Sequence, residues 1–480
     1  MILALDIGTS STRVAAYDHA ARPLPGRAHQ VRHRPAVTAD GGVEHDPARL
    51  LDAVLACLDA VLHGRPAGEV DAVGVATFWH GLLGFDAGGR PLTPISLWAD
   101  TRSARDAMLL RSALDEAAMH ARTGCHLHAS YWPARLRWLA RERPGETRRV
   151  ARWGSFGEYL ELQLFGEAAT SVSIASGTGL FDQARLGWDS EALVAAEIED
   201  TALFPLCDRA QPRRGLRPQW SARWPALRGA AWFPAVGDGA ASNVGSGCTD
   251  PTRIALHVGT SAALRVVTTA ATAPPRGLWR YRLDRRLALV GGALSEGGNV
   301  YAWCRDTLRL PPDDEIEAAL ARPTPTGHRL TVLPFLAGER APGWRDDRRA
   351  VIAGLGLDTT PLEILAAALE AVALRIALVY DLLAPQAEPG HVIVASGGAL
   401  ARSPAWAQMI ADALGRPLRL SRADEATSRG AALLALEALG RLPGLGTVEA
   451  PLGDTIVPDG ARHARYRTAL ENLGRLDERV

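Results

Sequence analysis

The 480-residue chain contains no lysine, so all 53 of its fixed side-chain cations are arginines. That excludes a phosphate loop of the GxxxxGK type, which needs a lysine amine beside its glycines. No GxGxxG opens a helix either, so nothing indicates a dinucleotide site. Cysteine is scarce. Cys57, Cys125, Cys207, Cys248 and Cys304 are scattered, odd in number and form no CxxC pair. This argues against a disulfide framework or a zinc site and suits a reducing cytosol. An excess of one charge is missing as well, because 53 acidic residues balance the arginines. No single-sign field calls for nucleic acid or an anionic membrane. The longest apolar stretch, Ile364–Leu383, carries Glu370, Arg375 and Asp381 and reads as a buried helix, not a membrane span. Met1–Leu5 has no basic start and runs straight into Asp6, so no secretory signal is visible. A cytoplasmic protein is expected.

The length fits two large domains better than one core. Ile2–Leu5 ends at the turn Asp6-Ile7-Gly8-Thr9-Ser10, and Val14–Tyr17 resumes a strand, which predicts a β-hairpin. Pro47–Leu62 has helical apolar spacing with Asp46 as N-cap, and Val70–Ala76 reads as a buried strand ending at Trp79-His80. Val172–Phe181 is expected to be strand or loop, and Pro212–Trp224 surface loop. Val236–Gly247 reads as a turn entering a closely packed helix.

The opening then recurs. Leu3-Ala4-Leu5-Asp6-Ile7-Gly8-Thr9-Ser10-Ser11 aligns with Ile254-Ala255-Leu256-His257-Val258-Gly259-Thr260-Ser261-Ala262, and a strand follows each copy. Alternating strands and helices in both halves imply two α/β domains, divided as residues 1–245 and 246–480.

A Gly-Thr-Ser turn lets backbone approach an anion and supplies N–H and hydroxyl donors. A single copy is most simply a tight turn. Two copies, one preceded by an acid, are expected to clamp the phosphates of a nucleotide: Gly8, Thr9 and Ser10 on one side, Gly259, Thr260 and Ser261 on the other. Asp6 is placed to hold Mg²⁺, directly or through water. Asp238, between Gly237 and Gly239, could accept the proton of an attacking alcohol, or could simply cap a helix. Gly397, Gly398 and Ala399 follow an apolar strand and leave bare backbone for adenosine. Trp79, His80, Asp100 and Arg102 end apolar strands, which suits sugar hydroxyls, although a lone histidine is more often core. Glu339 and Arg340 are either substrate contacts or a surface ion pair.

Taken in order, these segments resemble the FGGY family of carbohydrate kinases over essentially the whole chain. The resemblance rests on Asp6–Ser10, Trp79-His80, Trp98–Arg102, Gly237–Gly239, Gly259–Ser261, Pro334–Pro342 and Ser396–Asp412. It implies an actin-like, ribonuclease-H-like core in each domain around a nucleotide-binding cleft, with ATP and Mg²⁺ in it. By match, Asp238 would be the catalytic base and Asp6 would lie near the metal. Ser173–Phe181, Asp238-Gly239 with Asn243, and Gly338–Pro342 are most similar to gluconate kinases. Trp79 stands where Met is usual, and Arg135 and Gly157 where Lys is common; Trp79 and Gly157 are expected near the substrate.

The resulting expectation is phosphorylation of a small sugar or sugar acid by ATP, with D-gluconate to 6-phosphogluconate as the specific choice. Xylulose or another pentulose is an alternative. An actin-like ATPase without a sugar substrate is a rival of another class. A homodimer is compatible with any of these.

Overall fold

The computed structural model describes residues 1–269, 273–322 and 327–479. Its strands form two principal sheets. In the first, the order is Ala231–Trp232, Ala72–Thr77, Ile2–Ile7, Ser11–Tyr17 and Pro23–Arg32, and Val236–Gly237 also pairs Ala72–Thr77. In the second, it is Trp279–Arg282, Ala288–Leu294, Ala262–Thr268, Arg253–Val258, Val392–Ser396, Leu418–Ser421 and Leu452–Ile456.

The repeated sequence occupies the same place in both sheets. Ile2–Ile7 pairs antiparallel with Ser11–Tyr17 and parallel with Ala72–Thr77. Arg253–Val258 pairs antiparallel with Ala262–Thr268 and parallel with Val392–Ser396. Each is flanked on both sides, which is why Ile2, Leu3, Leu5, Ile254 and Leu256 are buried and the runs are nearly all apolar. In each copy the Gly-Thr-Ser turn is thereby carried at the end of a central strand.

The helix Pro47–Leu62 starts where expected, with Asp46 Oδ1 accepting the Ala48 and Arg49 amides. Pro361–Leu383 is capped by Thr360 and Glu363, each side chain accepting the other's backbone amide. Its charges explain its sequence. Glu370 and Arg375 are buried, and Asp381 meets Arg467 at the surface, 2.7 Å away. Among the described residues no helix is long and apolar enough to cross a membrane.

Helix Asp238–Gly245 packs on helix Ala426–Ala438 through reciprocal glycines. A Cβ on Gly245 would lie 1.8 Å from the Ala426 oxygen, and one on Gly430 would lie 1.8 Å from the Ala241 oxygen. The second helix also lies on the first sheet, since a Cβ on Gly74 would lie 2.1 Å from the Ala431 oxygen. Glycine at these positions lets backbones touch, so the helix bearing Asp238 is gripped between both halves of the chain.

Two local expectations are corrected. Val172–Ser176 is a short helix, not strand or loop, because Ser171 caps it by accepting the Ile174 amide at 3.1 Å. Within Pro212–Trp224, Pro218–Arg223 is helical, with Pro218 at its first turn; Trp220 stacks on Trp224 at 5.2 Å, and Trp224 is buried.

Candidate active site

Both Gly-Thr-Ser turns close on themselves. The Gly8 amide donates to the Ser11 oxygen and the Gly259 amide to the Ser261 oxygen, each at 2.9 Å. The glycine N–H is therefore spent inside the turn, and the outward donors left for a phosphate are those of the threonines and serines. Neighbours brace the turns from behind. His45 Nε2 donates to the Thr9 oxygen at 2.9 Å. The Gly298 and Asn299 amides donate to the oxygens of Gly259 and Thr260 at 2.7 and 3.1 Å.

Asp6, the last residue but one of its strand, stands opposite Arg13. Desolvation first, then the negative charges of Asp238 and Glu425, push its carboxyl up to about 7, against the pull of Arg13. Acids crowded together with so little compensation are what a divalent cation would neutralise. His257, the counterpart of Asp6 in the second copy, is instead held near 4 by burial and by Arg265. Its Nδ1 lies 3.2 Å from Ser396 Oγ.

Asp238 is the first residue of its helix. Its Oδ1 accepts the Gly239 amide at 2.7 Å. Burial raises its pKa, and the positive charge of Arg265 is the strongest opposing influence. The carboxyl faces a cavity of about 110 Å³ with Trp79, His80, Trp98, Arg265 and Arg340. Trp279 and Tyr281 complete the aromatic wall, and Ser261 of the second turn reaches the same cavity. The second Gly-Thr-Ser turn, the Asp238 carboxylate and an aromatic pocket thus converge.

Trp79 packs flat against Gly237, where a Cβ would lie 1.9 Å from its ring. Its Nε1 donates to the Ser173 oxygen at 3.0 Å, and Tyr281 sits 4.8 Å away. His80 adopts φ 69°. Its Nδ1 contacts the Gly177 oxygen at 2.6 Å; a carbonyl can only accept, so Nδ1 carries the proton and Nε2 is free to accept one. Burial, reinforced by Arg340, keeps the ring neutral, with its pKa well below the usual histidine range. Arg135 holds this strained backbone in place by donating to the His80 oxygen at 2.5 Å and the Leu97 oxygen at 2.6 Å. Burial lowers that guanidinium to about 10.

Not every candidate joins this pocket. Arg102 bridges Asp100, at 2.5 Å, and Glu44, and its guanidinium lies 4.3 Å from the Trp138 ring. The adjoining cavity is about 10 Å³, room for a water and not a sugar. Glu339 is buried against Arg375, not paired with Arg340 at the surface. Gly157 packs against Ala235 at the start of the helix Phe156–Phe165 and does not line the pocket. Arg340 does line it, 4.8 Å over Trp98.

A second cavity, of about 560 Å³, lies beside Ser396, Gly397, Gly398, His257, Glu425 and Thr427. Gly397 has φ 109°, and a Cβ there would strike the Val258 oxygen at 2.2 Å, so only glycine opens this wall. Ala399 is buried in the short helix behind it.

Sequence reasoning missed Arg265, Trp279 and Tyr281. The signal for Arg265 was a lone cation in the otherwise apolar strand after the second turn.

The family model for the N-terminal domain of FGGY carbohydrate kinases matches residues 1–245, and that for the C-terminal domain matches residues 254–439. The chain belongs to the FGGY family of carbohydrate kinases. This FGGY kinase is a sugar phosphotransferase, for which the family implies ATP as the phosphoryl donor. It is 27% identical over 497 residues to a gluconokinase of Bacillus subtilis (strain 168), covering 99% of this chain and 96% of that one. It is 27% identical to a xylulose kinase of Escherichia coli (strain K12), covering 100% and 99%. The fold matches a gluconate kinase of Lactobacillus acidophilus with a TM-score of 0.90 at 24% identity, over 99% of this chain and 97% of that one. The two-domain architecture of actin-like sugar kinases is the one expected from the sequence, and the rival reading of an ATPase without a sugar is set aside by the family.

Proposed function

We propose that the kinase transfers the γ-phosphoryl group of ATP to a hydroxyl of D-gluconate, forming 6-phosphogluconate. The observation that carries this reading is the pocket in which Asp238 faces a guanidinium, Arg340, lying over Trp98. The carboxylate can take a proton from the attacking hydroxyl, and a guanidinium is suited to a substrate carboxylate. The similarity to a gluconokinase supports the same choice.

Residues 1–245 supply Asp238, Trp79 and His80, and residues 246–480 supply the adenosine cavity beside Gly397 and Gly398. Phosphates lie between Thr9-Ser10 and Thr260-Ser261. Asp6 fits Mg²⁺ because its crowded carboxyl gains most from a neighbouring cation; the ion would neutralise phosphate charge during transfer. The hydroxyl oxygen attacks the γ-phosphorus as Asp238 accepts its proton, and the bond from that phosphorus to the β–γ bridging oxygen breaks to release ADP. Neutral His80 accepts a substrate hydroxyl at Nε2 and fixes the sugar's orientation.

ADP release measured across gluconate, xylulose, ribulose and glycerol tests the choice. Gluconate should give the highest kcat/KM. A strong response to a ketose and none to gluconate would replace it with the pentulose reading.

A further inference from the structure

Arg265 is the cation for which the proposed chemistry has so far given no use. It projects from the strand Ala262–Thr268 into the pocket that holds Asp238 and Arg340. Its Nε is sealed from solvent and without a hydrogen-bond partner, and among the described residues no carboxylate forms an ion pair with it. Three other arginines are matched to carboxylates, Arg209 with Asp284 at 2.9 Å, Arg213 with Glu161 at 2.7 Å and Arg375 with Glu339, and buried Arg135 is held by backbone carbonyls. An unmatched guanidinium in a half-buried aromatic pocket is costly unless a ligand supplies its anion.

We infer that Arg265 is a specificity-determining residue, a second guanidinium that acts with Arg340 to make this pocket select a sugar acid over its neutral counterpart; the inference rests on the sugar-acid reading above. Charge counting leads there. The pocket holds two guanidiniums, one carboxylate and a neutral His80. Asp238 must keep a lone pair for the substrate proton, and Arg265 stays outside ion-pair contact with it. One positive charge is left for a substrate carboxylate to balance. The local packing makes room for that cation: a Cβ on Gly239 would lie 2.9 Å from Arg265 Nε and 2.7 Å from the Trp79 ring. Arg340 Nε is likewise without a partner, but its guanidinium has one face occupied by Trp98, whereas among the described residues no aromatic ring lies under that of Arg265.

The test compares the wild type with Arg265→Gln and Arg265→Lys, each checked for folding by circular dichroism. Gluconate and its neutral counterpart glucitol are titrated by quenching of the pocket tryptophans, and ADP release is followed with gluconate. Arg265→Gln should weaken gluconate by roughly 10- to 100-fold, the range of one charge-assisted hydrogen bond, mostly in KM and not in kcat. Glucitol binding should move by less than about threefold on the same scale, and Arg265→Lys should recover part of the gluconate loss. Equal losses for gluconate and glucitol, or a loss confined to kcat, would overturn the inference and assign Arg265 to the γ-phosphate or to Asp238. A wild type that binds glucitol as well as gluconate refutes the sugar-acid reading itself, and this inference with it, whatever the variants do.

Discussion

The hydroxyl of Tyr131 lies 2.6 Å from the hydroxyl of Tyr281. The two residues are 150 positions apart, and both rings flank His80, at 5.2 and 5.5 Å. One hydrogen bond thus joins the two halves of the chain at the wall of the candidate sugar pocket. Tyr281→Phe leaves the Tyr131 hydroxyl buried without its partner, which should cost about 1–3 kcal/mol. Urea denaturation should show the loss, and gluconate KM should rise as the wall loosens.

Asp238→Asn removes the proton acceptor with little change of shape. Turnover should fall by about 10²- to 10⁴-fold, the usual contribution of a general base. ATP binding, followed by calorimetry, should stay close to wild type. Unchanged turnover would refute the role of Asp238 as base.

The raised pKa of Asp6 makes a signed prediction. The carboxyl is held up to about 7 from an ordinary 3.8, so the folded state binds the proton more tightly than the unfolded chain. Stability from this group is complete below about pH 4 and is lost as pH rises towards 7, by about 4 kcal/mol in all. Asp6→Asn should therefore be the more stable protein above neutrality and lose its advantage in acid. Thermal melts of both proteins across pH will check this. Added Mg²⁺ and ATP should stabilise the wild type most at high pH and the variant less.

The buried pair Glu339–Arg375 is structural, not a substrate contact. Arg375→Met strands a buried carboxylate and should cost about 3–5 kcal/mol, while Glu339→Leu combined with Arg375→Met should recover much of it. Denaturant midpoints of the three proteins decide the matter.

Gly430→Ala places a methyl group against the Ala241 carbonyl. The helices can relieve the clash only by separating, so the loss should reach about 3 kcal/mol or more, the upper end of overpacking costs. Because helix Asp238–Gly245 starts with the proposed base, the surviving folded fraction should also show reduced kcat.

Much of the site was legible because it is built from turns. Glycine and hydroxyl residues after an apolar run mark a strand end whose backbone is free to meet an anion, and both copies stand where such a reading places them. Asp238 stood out by its flanking glycines, which make room for Trp79 and Arg265, but they left base and helix cap equally open. The short helix at Val172–Ser176 was not, since its β-branched residues favour strands and a single capping serine overrides them. Glu339 misled for a different reason: it sits beside the pocket residue Arg340 in sequence while its charge is satisfied by the distant Arg375, and Arg102 is likewise spent on Asp100 and Glu44.

By itself the sequence determined the doubled strand-turn plan, because apolar runs, glycines and hydroxyls act through local backbone geometry. It also settled that every cation would be a guanidinium. Only the tertiary structure decided which of those guanidiniums are spent on carboxylates and which, as with Arg265 and Arg340, face an open pocket. Charge pairing acts through space over a few ångströms, and no spacing along the chain records which groups folding will bring that close.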